Sequence, residues 1–274
     1  MPNISVRETS LSYQEVGDGL HVVVLIHGNH QSSQIWSPVL TKMPEEFRAL
    51  AFDLRGFGSS EKRADGADIH GHADDIRQAL HKLSVVRCSV MASAAGCGVA
   101  ISLAARYPSL IYKLVMSGPF SFNQIGASIQ EYQKDCGLQS TAEEVSLHPI
   151  SSTPLATGWN LDELLPIVMK DLAREPNPEQ KDALISIAMN CHRGASANWS
   201  RSMAWPVLSQ LLPEITAKTR VVKGPDDLSH DYPDKLKFMI DDCDIAETPK
   251  PTLCPVLECP DDYLESALEL LNAW

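Results

Sequence analysis

The sequence predicts an α/β fold: a mostly parallel central sheet flanked by helices, carrying one helical insertion. Three observations predict it. Short strand-like runs recur at 21–26, 47–53, 88–91, 113–116 and 220–223; the first is continuously apolar from Val22 rather than alternating, and the others repeat its pattern. A strand buried on both faces needs that pattern. Helical spacing lies between the early runs, and alternation of strand, helix and strand argues for parallel pairing. Between about Pro119 and Leu212 no strand-like run recurs, which marks the insertion.

Each element follows in order. Residues 4–16 alternate polar and apolar through Val6, Leu11, Tyr13 and Val16, so they read as an opening hairpin, with Gly17-Asp18-Gly19 as a turn. The run 21–26 is the first buried strand and ends at His27-Gly28; 47–53 repeats the pattern. The helix expected over 73–83 places Ile76, Leu80 and Leu83 on one face. A strand at 88–91, a helix over 99–106 and a strand at 113–116 come next. The insertion reads as helical, punctuated by Pro149, Pro154, Pro166, Pro176, Pro178 and Pro206, and returns through 211–215 to a strand at 220–223. The expected division is therefore a core of 1–118 and 213–274 and a helical cap of 119–212.

Composition narrows the classes. The 274 residues are 44% hydrophobic, 21% charged and 6% aromatic, which excludes a disordered chain. Lys and Arg number 23 against 35 Asp and Glu, a net charge of −12. Such a chain has no electrostatic footprint for nucleic acid or an anionic membrane surface. No run of about 18 apolar residues predicts a membrane span. Met1-Pro2-Asn3-Ile4-Ser5 lacks the basic start and apolar run of a secretion signal. Seven scattered cysteines (88, 97, 136, 191, 243, 254, 259) contain no CxxC pair, which fits reduced thiols in the cytoplasm rather than disulfides or zinc. The expected partner is a small molecule, with no cofactor and no metal; oligomeric state is not legible.

Ligands of such sheets bind at the carboxyl ends of the strands. After the first buried strand stands His27-Gly28-Asn29-His30, and after the next Asp53-Leu54-Arg55-Gly56-Phe57-Gly58-Ser59-Ser60. The run from Cys88 to Ala100 reads as strand, sharp turn and helix, and closes on Ala105-Arg106-Tyr107-Pro108. Val222-Lys223-Gly224-Pro225-Asp226-Asp227 and Cys254-Pro255-Val256-Leu257-Glu258-Cys259-Pro260 follow. In this order and spacing the five segments, spanning 21–260, resemble the α/β-hydrolase superfamily, in its capped, single-domain form.

The resemblance implies an α/β-hydrolase fold and a degenerate catalytic triad. The superfamily's nucleophile elbow reads small-x-Ser-x-Gly, because its strained turn demands small neighbours. Here Ala94 stands at the serine position, and its methyl cannot attack a carbonyl. The alternative register makes Ser93 the nucleophile, with bulky Met91 where a small residue is needed. Leu253 stands where the catalytic histidine is expected, and Asp227 at the acid position. Loss of nucleophile or base in a serine hydrolase costs about 10⁶ in turnover, so ordinary triad hydrolysis is excluded for the chain as written.

What remains retains chemistry. The resemblance implies an oxyanion hole from the backbone N–H groups of Asn29 and Ala95, which needs no side chain at position 94. His30 is read either as a pocket acid or base or as a hydrogen-bonded loop histidine. His230 at the same rim, and His192 with Trp159, Trp199, Trp205 and Met203 in the insertion, are read as substrate contacts, or as a solvated loop residue and the cap's own core. Ser93, Asn29, Ala95, His230, Trp159 and His192 form the expected substrate-binding set. His27, Asp53 and Arg55 read as loop braces, and His70 and His72 have no metal-ligand pattern around them.

Three functions fit. The first is non-hydrolytic lyase, isomerase, cyclase or decarboxylase chemistry on a small carbonyl metabolite. The second is a serine esterase, lactonase or thioesterase inactivated by serine-to-alanine exchange at position 94, against which Leu253 counts. The third is a non-catalytic binder or scaffold.

Overall fold

A computed structural model of the chain describes residues 1–7, 9–63, 67–118, 176–203, 205–225, 232–250, 252 and 254–273. Most of the expected cap, including Trp159, lies outside them, as do Asp227, His230 and Leu253.

Eight strands form one sheet in the order β1-β2-β4-β3-β5-β6-β7-β8. The opening hairpin is β1 (Asn3–Val6) and β2 (Thr9–Val16), and β2 also runs antiparallel to β4 (Phe47–Phe52). All further pairing is parallel, through β3 (His21–Ile26), β5 (Cys88–Ser93), β6 (Ile111–Ser117), β7 (Lys218–Lys223) and β8 (Cys243–Glu247). The described helices are α1 (Ser37–Leu40), α2 (Ile69–Lys82), α3 (Gly96–Arg106), α4 (Pro178–Met189), α5 (Arg193–Ser202), α6 (Trp205–Leu211), α7 (Tyr232–Met239), α8 (Pro255–Glu258) and α9 (Pro260–Asn272).

The continuous apolar runs have a physical reason. Val24 and Ile26 of β3 join one core with Leu50, Phe52, Val90 and Leu114, while Val23 and Leu25 join the other with Ala49, Met91 and Val115. Alternate side chains thus enter opposite cores, so both faces favour apolar residues, with the small polar Ser89, Ser93, Ser117 and Thr219 buried among them. α2 and α3 cover the first face through Ile76, Leu80, Val99 and Leu103; α1 and α9 cover the second through Val39, Leu40, Leu264 and Leu270. Each fully buried leucine contributes about 2 kcal/mol. α2 starts where the Asp68 carboxylate accepts the Gly71 N–H at 2.6 Å, and it carries His81 and Lys82 in its last turn, favourable to the helix dipole.

The hairpin, the five buried strands, α2 and α3 stand where the sequence places them. β8 and helices α1 and α7 to α9 are additions to that reading. Among the described residues no two cysteines form a disulfide. Among the described residues no helix is long and apolar enough to cross a membrane.

Candidate active site at the carboxyl ends of the strands

Parallel register sets Ile26 beside Phe52 and Ala92, so the segments after β3, β4 and β5 open on one edge of the sheet. Buried Asp53 joins two of them: its carboxylate accepts the Ser33 N–H at 2.6 Å and the Ser59 N–H at 2.7 Å. His27 makes a second tie. Its Nδ1–H donates to the Gly28 carbonyl at 2.7 Å, and its Nε2 accepts the Leu54 N–H at 3.0 Å. Those partners require the neutral ring, and burial lowers its proton affinity further. Arg55 donates to the Asp75 carboxylate of α2 through two bonds of 2.6 Å. Each of these residues is a brace.

The turn from β5 into α3 is made by Ala94, at φ 47. A left-handed conformation costs an L-residue roughly 1–2 kcal/mol. Its N–H donates to the Ser117 carbonyl at 2.9 Å, and its own carbonyl accepts the Cys97 N–H at 3.0 Å. Ser93 is fully buried in β5, with Oγ 3.8 Å from the Cys254 sulfur. The turn projects residue 94, not 93. The backbone N–H groups of Asn29 and Ala95 donate to no acceptor among the described residues. Ala95 is the residue before the first turn of α3, where backbone N–H groups and the helix dipole favour negative charge.

His30 also has positive φ, 58. Two of the four described non-glycine residues with that conformation thus belong to this edge, the others being Arg7 and Ser84. Its N–H donates to Asn29 Oδ1 at 3.0 Å, and its Nε2 lies 2.7 Å from Ser196 Oγ on α5. Burial lowers the His30 pKa to about 4, so the ring is neutral at pH 7. Asn29 Nδ2 donates to the Ser196 carbonyl at 3.1 Å and to Ser200 Oγ at 2.9 Å.

α5 is clamped over these loops. The His192 N–H donates to the Gly56 carbonyl at 2.7 Å, and the Cys191 thiol to the Gln31 carbonyl at 3.4 Å. A Cβ on Gly56 would stand 2.4 Å from the Ala195 methyl, so only glycine lets the helix lie this close. Buried His192 caps α5, its Nδ1 accepting the Gly194 N–H at 3.1 Å. Trp199 is fully buried against Phe57 (5.2 Å between ring centres), His72 (5.0 Å) and His27 (6.0 Å). This tryptophan belongs to the packing between helix and core.

The structure therefore brings together His30, Asn29, Ala94 and Ala95, with Ser93 beneath them in the sheet and His192 capping the helix above. Asp227, His230, Trp159 and Leu253 lie outside the described residues. Ser196 is a site residue that sequence reasoning missed. Its hydrogen bond to His30 spans 166 positions, and a serine inside the run Arg193–Ser202 carries no signal of its partner. Among the described residues no group of three or more His, Cys, Asp or Glu could hold a metal ion. An open groove of about 480 Å³ runs along α9, lined by Asp261, Leu264, Glu265, Leu268, Glu269 and Asn272, and includes none of these loops.

Comparison with known proteins agrees with the fold. Residues 21–143 match the family described as alpha/beta hydrolase fold. A 2-(acetamidomethylene)succinate hydrolase of Mesorhizobium japonicum is 26% identical over 112 residues, 41% of this chain and 40% of that protein. The chain spans about a quarter to two fifths of the length of the curated relatives that head the comparison. A thermophilic esterase from Thermogutta terrifontis superposes with a TM-score of 0.78 at 20% identity, over 96% of this chain and 93% of that one. The enol-lactonase from Burkholderia xenovorans gives 0.73 at 16%, over 99% and 100%. At such identities the likeness is one of fold.

Proposed function

We propose that this chain, which carries the α/β-hydrolase fold, acts on a small carbonyl-containing metabolite by chemistry that needs no serine at the elbow. The observation that carries this is the turn itself: Ala94 at φ 47, with the backbone N–H groups of Asn29 and Ala95 finding no acceptor among the described residues. A carbonyl oxygen that gains negative charge, as in an enolate, is stabilised by such a pair, and one donor is worth roughly 10²–10³ in rate. His30, neutral at pH 7, takes or returns the proton. The reaction class is proton transfer next to a carbonyl, of the lyase, isomerase, cyclase or decarboxylase type, with no cofactor and a small molecule as partner.

The test is mass-spectrometric comparison of metabolite extracts before and after incubation with wild type and with His30→Gln. The expected result is a depleted metabolite in the wild type and loss of about 10² or more in rate in the variant. Equal depletion by both removes His30 from the mechanism; a ligand recovered unaltered by the wild type favours the binder.

A second reading is supported by the retained strain at Ala94, a conformation that an elbow serine would share. In it the natural chemistry is that of an esterase, lactonase or thioesterase, silenced by alanine at position 94. Leu253, at the position where the resemblance expects histidine, counts against this reading, because one exchange already stops turnover.

A further inference from the structure

We propose that two copies of this chain pair through the edge of the sheet opposite the candidate site, where the parallel strands begin. The pairing goes beyond the chemistry proposed above and does not rest on it.

Two apolar side chains stand in water at that edge. Leu20, just before β3, is 96% exposed, and Val86, just before β5, is 87% exposed. β3 and β5 are neighbours, with Val23 beside Ser89. Carried back three residues in each chain segment, that register sets Leu20 beside Val86. Local geometry presents both. Around Leu20 the Gly19 N–H donates to the Phe47 carbonyl at 3.4 Å and the His21 N–H to the Glu46 carbonyl at 3.2 Å. At the end of α2, Ser84 takes φ 59 and the Val85 N–H donates to the Leu80 carbonyl at 2.9 Å. That turn buries Val85 and leaves Val86 outside. A single exposed aliphatic needs no explanation, whereas an adjacent pair ringed by charge marks a contact surface.

The charges select the occupant. Asp18, Glu45 and Glu46 are exposed on one side of the pair, and among the described residues none of the three is in an ion pair. Arg87 is exposed on the other side, its guanidinium 4.8 Å from the centre of the Tyr112 ring on β6, and His81 and Lys82 close α2 beside it. The two glutamates lie between α1 and β4, and α1 and α2 cover opposite faces of the sheet. Acid and base therefore flank the apolar pair from opposite sides.

Their spacing fits a two-fold axis. Phe47 pairs with His21, so Glu46 stands one strand outside Leu20. The Arg87 guanidinium, over β6, stands one strand outside Val86. An axis passing between β3 and β5 lays Leu20 against Val86 of the second copy and Glu46 against its Arg87. An isologous contact requires a surface complementary to itself, and this arrangement supplies one. An anionic lipid surface would instead meet three carboxylates on a chain of net charge −12.

Sedimentation equilibrium of the full chain over about a hundredfold range of concentration tests the pairing. The wild type is expected to show a monomer–dimer equilibrium. Leu20→Asp and Val86→Asp should each raise the dimer Kd at least about tenfold; both positions are exposed, and circular dichroism checks that each variant is folded. Glu46→Arg and Arg87→Glu should each weaken the dimer, and the two together should return Kd to within about threefold of the wild type, because the ion pair is rebuilt with its charges reversed. A wild type that stays monomeric throughout overturns the proposal. A dimer indifferent to Leu20→Asp and Val86→Asp overturns it too, since the contact then lies elsewhere, as does a double charge reversal that fails to restore pairing. No readout involves turnover, so a negative result leaves the proposed chemistry untouched.

Discussion

Gly28 and Ala94 meet so closely that a Cβ on Gly28 would stand 2.9 Å from the Ala94 methyl and 2.7 Å from Gln31 Oε1. Gln31 cannot simply swing aside, because its Oε1 accepts the Gly28 N–H at 2.7 Å. Gly28→Ala should therefore destabilise the protein by about 1–3 kcal/mol, the usual cost of overpacking. Urea unfolding reads the change; a midpoint equal to that of the wild type would show that the loop shifts freely.

Ala94→Gly tests the strain directly. Glycine adopts φ near 47 without penalty, which offsets its greater loss of chain entropy on folding. Thermal unfolding should show a midpoint no lower than that of wild type, although a methyl is lost. A fall of several degrees would mean that the methyl's contacts outweigh the strain.

Ala94→Ser, alone and with Leu253→His, separates the two enzymatic readings. The reading preferred above expects neither variant to hydrolyse p-nitrophenyl acetate faster than the wild type. A gain in either establishes the silenced esterase instead.

Acid should weaken the fold between about pH 6.5 and 4. Burial lowers the His30 pKa to about 4 from its ordinary 6.5, so across that window the unfolded chain holds a proton that the folded chain refuses. Stability is complete above the upper limit and falls with pH, by up to about 3 kcal/mol from this residue. His27 and His72 shift in the same direction through burial. Denaturant titrations at pH 7.5 and 4.5 should show a smaller acid loss for His30→Gln than for wild type; equal losses would exclude His30 as a source.

His72→Phe should raise stability by about 1 kcal/mol, or roughly 2–4 °C in Tm. Among the described residues neither ring nitrogen of His72 has a hydrogen-bond partner, while its ring already packs on Phe57 and Trp199. Asp75→Ala should do the reverse, costing about 3 kcal/mol by leaving the Arg55 guanidinium without its buried partner. Calorimetry on both variants checks these signs.

Much of this architecture was legible in the residues. Strands such as His21–Ile26 announce themselves because alternate side chains enter two cores, which makes the run from Val22 to Ile26 continuously apolar. β8 does not, since Cys243–Glu247 is a half-buried edge whose Asp244 carboxylate faces Arg220 at 2.8 Å. α9 was readable and passed over: Tyr263, Leu264, Ala267, Leu270 and Leu271 have helical spacing behind Asp261 and Asp262 in the first turn. At the site, local motifs indicated Asn29, His30, Ala94 and Ala95 because each lies beside a strand end. Ser196 reaches His30 only through the packing of α5 on Gly56, and no local pattern encodes a contact made by a distant glycine.

The Asp53 carboxylate, with the Ser33 N–H on one oxygen and the Ser59 N–H on the other, makes the loops at this edge part of the sheet's cooperative unit. Amide hydrogens at these two positions should exchange with solvent only when the central strands open. Under the function proposed above, a ligand arriving there would meet a surface already frozen in shape and would spend no binding energy on ordering these loops.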